Sequence, residues 1–549
     1  MNRLFLVFLL FYSINLKSQI VEVWKAHRPY GVYFDYSEMK IVGSNVFIHS
    51  ITELANSHQY AQSITTDGEE NWFTIHDQFD ECFDCGFASV EEVVINSSGE
   101  AFAVGQQNAF PYSGRYYSKT SASGEIDFAN EFLTNPWASG FEGVCLSADE
   151  SFLFASGYQY TQEVDGLGTH LYKLSLDGQI IESPFLGEQF ASINKFISNS
   201  SDHVFCNISD TDTLKYACFD SDLQLSWTRS IPVPGYTSTS GYIKPLIFSN
   251  GDILFVDYMY LIDNNSITKL HLTRISPSGD IVWESMRDMA NADQYQFFNK
   301  DFKIDALDNV FCYFVRRFTT GGGGGIAEEI LQTTLSRGGK GGESQIRPAL
   351  LKFNGQGDYQ WTYIEPGNTD IEFSTVYPGH VITDEEGYSI ISCYESAFET
   401  GGVTYTILRP SGIVETSIYI DDLNEGFGNE MVYGGNRTFY SHTLGLNPEN
   451  SNESHWVVAR YQYDISTNIA SIESGNDFVL YPNPASDFVT IKSNQEIGSN
   501  LFKITDITGR TVREFSADKS CKTIVAIEGL SAGMYLVSNG IKIIQMVVN

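Results

Sequence analysis

The sequence predicts an all-β protein: an eight-bladed β-propeller, with seven blades as the alternative count, followed by a small C-terminal β-sandwich. Three observations carry this. A strand–turn–strand unit recurs through residues 19–464, the two ends of that region supply complementary parts of one unit, and a polar linker then leads into about 70 residues of short alternating strands. Composition agrees. Of 549 residues, 42% are apolar and 14% aromatic, while only 18% are charged, a balance that favours half-buried pleated surfaces over helices.

In chain order, the start "MNRLFLVFLLFYSINLKSQ" has Arg3 ahead of an apolar run from Leu4 to Phe11 and then small polar residues. That is the pattern of a secretory signal peptide, residues 1–18, with cleavage near Ser18–Gln19; the run is too short for a stable anchor. The expected mature chain is exported, secreted or held at the cell surface, with no transmembrane segment.

The repeat follows. "TTDGEENWFTI" (65–75), "SASGEIDFANEF" (121–132), "SLDGQIIESPF" (175–185), "DSDLQLSWTRSI" (220–231), "SPSGDIVWESM" (276–286), "NGQGDYQWTYI" (354–364) and "RPSGIVETSIYI" (409–420) each set a tight turn before a strand. They recur about every 45 to 57 residues, with one unit of about 77. Upstream of the turns, "VVINSSGEAFAVGQ", "VCLSADESFLFASGY", "LIFSNGDILFVDY", "FKIDALDNVFCYF" and "HVITDEEGYSIISCY" read as a second hairpin. Four short antiparallel strands per unit make a propeller blade. Seven units hold all four strands. An eighth, from "EMVYGGNRTFYSHT" to "WVVARYQYD", stops after three, and "IVEVWKAHR" (20–28) supplies the fourth. Trp24 then matches Trp72, Trp227, Trp283 and Trp361, and Val21–Lys25 is expected beside Trp456–Tyr461. One blade built from both chain ends removes an open sheet edge. A large ring repeated at one place per blade is expected to pack blade against blade.

Strand alternation sends the longer loops to one face, the usual place for binding. The aromatics there, Phe110, Tyr112, Trp137, Tyr158, Tyr160, Tyr236 and Tyr260, are the candidate ligand-binding residues, for a glycan or a protein. The insertion 319–346 is glycine-rich at both ends and has no phosphate-loop context.

No catalytic residue is assigned. The chain has no HExxH, GxSxG or DxDxDG pattern, and its ten histidines show no ligand spacing. Asp77, Asp80, Glu81 and Asp84, or Asp421, Asp422 and Glu425, could hold Ca2+, yet a solvated loop explains them as well, so no metal or cofactor is expected. Of eight cysteines, Cys206, Cys312 and Cys393 sit in strand contexts as small core residues. Cys82 and Cys85 form a lone CxxC, best read as a local loop disulfide in an oxidising compartment. With 33 basic against 68 acidic residues, a net charge of −35, the chain repels phosphate backbones, which excludes nucleic acid as a partner.

"SPSGDIVW" resembles the tryptophan docking motif of quinoprotein dehydrogenases, but the adjacent Cys-Cys pair of that family is not in this chain. The tail gives a second resemblance. After the linker 465–477, residues 478–549 carry "YPNPASD" (481–487), "ITDITGR" (504–510) and "GLSAGMYLV" (529–537) in that order. They resemble the type A C-terminal sorting domain of the type IX (Por) secretion system of Bacteroidetes. The matching residues are Tyr481, Pro482, Asn483, Pro484, Asp506, Gly509, Arg510, Gly529, Leu530, Gly533 and Tyr535. The resemblance implies contact with the secretion machinery through residues 478–549, export across the outer membrane, and attachment or release at the surface. An enzyme of the propeller funnel (hydrolase or oxidoreductase) and a structural or adhesion protein are the other functional classes considered.

Overall fold

In the computed structural model the chain divides into two compact units, 18–464 and 465–549 with the N-terminal residues. The residues described are 19–28, 36–51, 58–77, 88–109, 112–128, 132–135, 139–161, 166–184, 186, 193, 195–208, 211–238, 243–261, 267–292, 301–319, 344–365, 375–396, 402–420, 430–446 and 454–464 in the first. In the second they are 465, 478–481, 485, 488–493, 501–506, 510–516, 522–527, 529–531, 533–538 and 543–548. The signal segment, Cys82 and Cys85, nearly all of the glycine-rich insertion and of the linker lie outside them.

The large unit is a β-propeller of antiparallel meanders, and its strand order repeats. The first sheet runs Tyr36–Val42, Asn45–Ile51, His58–Thr65, Glu70–Asp77, each strand bonded to the next. The same order recurs from Ala88–Ile95, Ser139–Leu146, Phe196–Ser198, Asp301–Ile304 and Thr375–Thr383 onward. One sheet has eight strands, because Leu225–Ser238 pairs with Thr211–Phe219 on one side and, through Tyr236, Thr237 and Ser238, with Ile253–Leu261 on the other. Residues alternate as the faces demand. The second and third strands are buried throughout, as in Val204–Ile208 and Gly402–Leu408, while last strands such as Val414–Ile420 alternate with solvent. Cys206, Cys312 and Cys393 are fully buried, and burial pushes the Cys206 and Cys312 thiols upward.

The last sheet is composite. Glu430–Gly435, Thr438–Leu446 and Ser454–Asp464 are closed by Gln19–Arg28 as the outer strand. The register runs from Gln19 opposite Asp464 to Arg28 opposite Trp456, with a bulge between Glu22 and Trp24. Val21 faces Gln462, one residue beyond the predicted window.

Five tryptophans each reach a turn of the following four-strand unit. The Trp24 indole N–H donates to the Thr66 carbonyl at 3.1 Å, Trp72 to Ala122 at 2.9 Å, Trp227 to Pro277 at 3.0 Å, Trp283 to Gly355 at 2.9 Å and Trp361 to Pro410 at 2.9 Å. The ring lies on a turn glycine. A Cβ on Gly357 would meet the Trp283 ring at 2.7 Å, and one on Gly412 the Trp361 ring at 2.6 Å; both glycines also have φ above +80°. The tryptophans therefore pack sheet to sheet, as their repetition predicts.

The small unit has two sheets on one core. Phe478–Tyr481, Phe488–Ser493 and Lys522–Ala526 form one; Thr511–Ser516, Leu501–Asp506, Gly533–Ser538 and Ile543–Val548 form the other. Val489, Ile491, Phe502, Ile504, Val537 and Met546 are fully buried between them.

Trp24→Ala should remove the ring from Gly68 and the bond to Thr66, and lower the unfolding free energy by about 3 kcal/mol. Gly357→Ala should cost a comparable amount through the clash with Trp283 and the positive φ. Equilibrium urea unfolding measures both; changes below about 0.5 kcal/mol would show that these contacts are incidental.

Candidate functional site

Apart from Phe196–Ser198 and Leu246–Ile247, successive first strands of the large unit lie side by side: Ala88–Ile95 touches both Tyr36–Val42 and Ser139–Leu146, and Glu430–Gly435 touches both Thr375–Thr383 and Tyr36–Val42. On or just ahead of most of these strands an ionisable residue recurs at a matched position. Asn96, Asn199, Phe248, Asp305 and Asp384 open the first turns, and four residues before each stand Glu92, Lys195, Lys244, Asp301 and His380. Glu38 and Glu430 hold the matching place in the first and last sheets, and in the third Gly143 is preceded by Glu142.

These side chains meet across the sheets. Glu92, 3% exposed, takes Lys244 Nζ at 2.9 Å on one oxygen; its other oxygen takes Lys195 Nζ at 3.4 Å and the Val144 backbone N–H at 3.0 Å. Burial alone would raise the Glu92 carboxyl; the two ammonium groups and the Val144 N–H outweigh it and hold the group below the usual glutamate range. On the other side, His380 lies between two carboxylates, with Nδ1 3.3 Å from Asp301 and Nε2 3.6 Å from Glu430. Burial would lower its pKa, but Glu430 and Asp301 raise it. Asp301 also accepts from the Val381 N–H at 2.9 Å, and Lys303 stands 3.8 Å away.

Glu38 is the outlier. Burial, then the like charge of Glu430, lifts it to about 7 against the pull of Lys244 and Lys303. Glu430 is raised too, by burial first, with His380 and Lys303 opposing. Lys244 and Lys303 keep 36% and 40% of their side-chain surface accessible. Chemically, cations and carboxylates are held at fixed places here, an arrangement suited to a polar or charged group. Among the described residues no three His, Cys, Asp or Glu side chains are placed to hold a metal ion.

The predicted ligand aromatics fare unevenly. Phe110 and Trp137 lie outside the described residues. Tyr112 opens the strand Tyr112–Thr120; Tyr158 and Tyr160 lie in Phe152–Thr161, and Tyr260 in Ile253–Leu261. The backbone pairing of Thr237 with Tyr260 brings Tyr236 and Tyr260 to neighbouring strands. Tyr236 itself is half-buried against the apolar cluster around Val233 and Met259, with Lys269 Nζ 5.7 Å above its ring. Of the acidic loop residues only Asp77, at the end of Glu70–Asp77, is among those described.

The tail motifs have structural work. Tyr481 ends a strand opposite Thr490, and Ala485 bridges to Val548. The Arg510 N–H donates to Asp506 Oδ1 at 3.1 Å while the Asp506 N–H donates back to the Arg510 carbonyl at 3.0 Å, closing a turn. Gly529 takes φ +85°, Leu530 packs on the core, and the Tyr535 hydroxyl donates to the Ser531 carbonyl at 2.9 Å beside the start of the strand at Gly533. Pro482, Asn483, Pro484 and Gly509 lie outside the described residues.

Residues 479–546 match the family model described as the secretion system C-terminal sorting domain. The tail is a type IX sorting domain. A sorting domain directs its cargo through that machinery, so the chain is a secreted or surface protein. No curated protein sequence matches the chain. Among solved structures it is similar to the Dos1 propeller (9% identity, 81% of this chain and 95% of that one, TM-score 0.44). It is similar also to the β-propeller domain of the Trilobed protease from Pyrococcus furiosus (10% identity, 68% and 95%, TM-score 0.35) and to a protein of unknown function from Dyadobacter fermentans (9% identity, 81% and 99%, TM-score 0.36). Among the described residues no helix is long and apolar enough to cross a membrane.

Glu92→Gln should strand two lysines and lower stability at pH 7 by about 3 kcal/mol. Because the native Glu92 pKa is depressed, its contribution is present above the ordinary glutamate value near 4.5 and lost as pH falls through the native one. The gap between variant and parent should therefore narrow in acid; an equal gap at pH 7 and pH 4 in urea unfolding would contradict the role given to Glu92.

Proposed function

We propose that this is an exported binding protein: a closed eight-bladed propeller that takes a polar ligand, glycan or protein, at the mouth of its charged axis, and is carried to the cell exterior by its sorting domain. One observation carries the reading. Ionisable residues from successive inner strands meet at one height, where water reaches them, in a unit whose inner strands return from Glu430–Gly435 to Tyr36–Val42. Between Phe196–Ser198 and Leu246–Ile247 the circle is carried by the continuous eight-stranded sheet. Buried charge is costly to place, and structural needs alone are met more cheaply by apolar packing. The loop aromatics Phe110, Tyr112, Trp137, Tyr158, Tyr160, Tyr236 and Tyr260 would frame the mouth.

A hydrolase is the second reading, favoured by Glu38, whose carboxyl is raised to about 7 beside Glu430, the range of a general acid. Turnover of glycoside or peptide substrates that disappears in Glu38→Gln would support it over simple binding.

The folded protein should retain ligand on a glycan array or from an extract of the outer surface, and Lys303→Ala or Glu430→Ala should weaken that retention at least tenfold, a loss of about 1.4 kcal/mol. Blank results with folded protein would overturn the binding reading. A chain ending at Asp464 should fold with the same circular dichroism and accumulate in the periplasm of the host. Its arrival at the surface would contradict tail-directed export.

A further inference from the structure

The geometry points to an anion-accepting site at Lys303, flanked by Lys244 and His380, that takes the carboxylate of an acidic sugar. It rests on the binding reading above and names the charge and the class of the ligand. Its basis is which charges an incoming group meets. Lys244 stands just ahead of Leu246–Ile247, Lys303 lies in Asp301–Ile304 and His380 in Thr375–Thr383, so three successive four-strand units supply them. They keep 36%, 40% and 25% of their side-chain surface accessible. The carboxylates among them, Glu92, Asp301 and Glu430, keep only 3%, 12% and 15%. The accessible part of the arrangement is therefore cationic, in a chain whose net charge is −35.

The open donors can be counted from the contacts. Asp301 takes the Val381 N–H at 2.9 Å and faces His380 Nδ1 at 3.3 Å, while Glu430 faces His380 Nε2 at 3.6 Å. His380 sits where its strand bulges between Pro378 and Val381, a device that re-aims a side chain. It can donate to both carboxylates only as the imidazolium. Glu92 takes Lys244 Nζ at 2.9 Å and the Val144 N–H at 3.0 Å. Lys303 differs from these groups. Its Nζ stands 3.8 Å from Asp301, beyond hydrogen-bond reach, and among the described residues it makes no hydrogen bond. Its three N–H donors are open to a ligand. Lys303 also lies within electrostatic range of Lys244, and His380 within range of Lys303, so three cations are gathered here.

A carboxylate on Lys303 makes a charge-assisted hydrogen bond and relieves the repulsion among the three cations. The class of ligand follows from charge at longer range. Beyond a screening length of about 8 Å the ligand meets a chain of net charge −35. A polyanion is repelled by that field, and a partner protein would have to be basic overall while presenting an acid to this one place. A sugar with a single acid group meets neither limit, because the rest of it is neutral. Its hydroxyls also need acceptors, and Asp301 and Glu430 stand beside the lysine with part of their surface accessible.

Titration calorimetry on the full chain tests this with glucuronate, galacturonate and N-acetylneuraminate, the methyl ester of each as its neutral counterpart, and N-acetylalanine as a peptide-type carboxylate. At least one sugar acid should bind, with its ester and N-acetylalanine roughly tenfold weaker or more. Lys303→Met should weaken the acid by a similar factor, while Lys303→Arg, which keeps the charge, and Lys503→Met in the tail should leave it within about twofold. An ester that binds as well as its acid, or a Lys303→Met chain that binds as well as the parent, would overturn the charge assignment and leave the binding reading standing. Tighter binding of N-acetylalanine would overturn the sugar assignment in favour of a peptide carboxylate. No binding of any sugar acid would overturn the inference, and a blank glycan array and surface extract besides would take the binding reading with it. Should Lys303→Met fail to fold, the comparison of acid with ester on the parent chain still decides.

Discussion

The large unit depends on one contact repeated around it: an indole from the last strand of a sheet laid over the glycine of a turn in the next. Sheets of a propeller share no backbone hydrogen bonds as a rule, so their angles are set by what packs between them. A Trp ring supplies a large flat area and one donor, and the turn supplies an open face and a free carbonyl. The glycine is forced twice over, by its positive φ and by the lack of room for a Cβ. The same contact joins the last sheet to the first through Trp24, so that interface uses the geometry seen at Trp72, Trp227, Trp283 and Trp361. Where no Trp is available, polar links between turns serve instead. Glu150 accepts from the Ser97 N–H at 2.8 Å and Asp202 from the Ala148 N–H at 2.6 Å.

Most of this was legible in the sequence because it rests on local rules. Turn residues, alternation and a Trp at fixed distance after a glycine are visible in any one repeat, and the fourth strand of the last unit could be found by noticing which part was missing. The tail was legible for a different reason, since its motifs build specific turns such as that between Asp506 and Arg510. The charged axis was not found. The position lies four residues before each turn, but its occupant changes from Glu to Lys to Asp to His. No motif marks it. Only the topology makes Glu92 and Lys244, 152 residues apart, into partners. A search for one ionisable residue at a constant offset from the turn, whatever its type, would have recovered it.

Charges of both signs are found at the first strands. Neighbouring first strands touch, so what they carry is brought close together. Charges of one sign alone would repel each other strongly there. Alternating Glu92 with Lys195 and Lys244, and His380 with Asp301 and Glu430, keeps the sum small while leaving polar atoms in place.

Gln19 opposite Asp464 has a mechanical consequence. The strand that leads to the tail is flanked by hydrogen-bonded neighbours on both sides, the chain's opening strand and Thr438–Leu446. A pull on the tail during transport runs along that strand and loads both ladders in shear, so that many bonds must yield together. Had the chain ended on the outer strand, the same pull could have peeled it away one bond at a time. With the opening strand outside and the strand that leads to the tail inside, the sheet meets such a pull with two ladders at once.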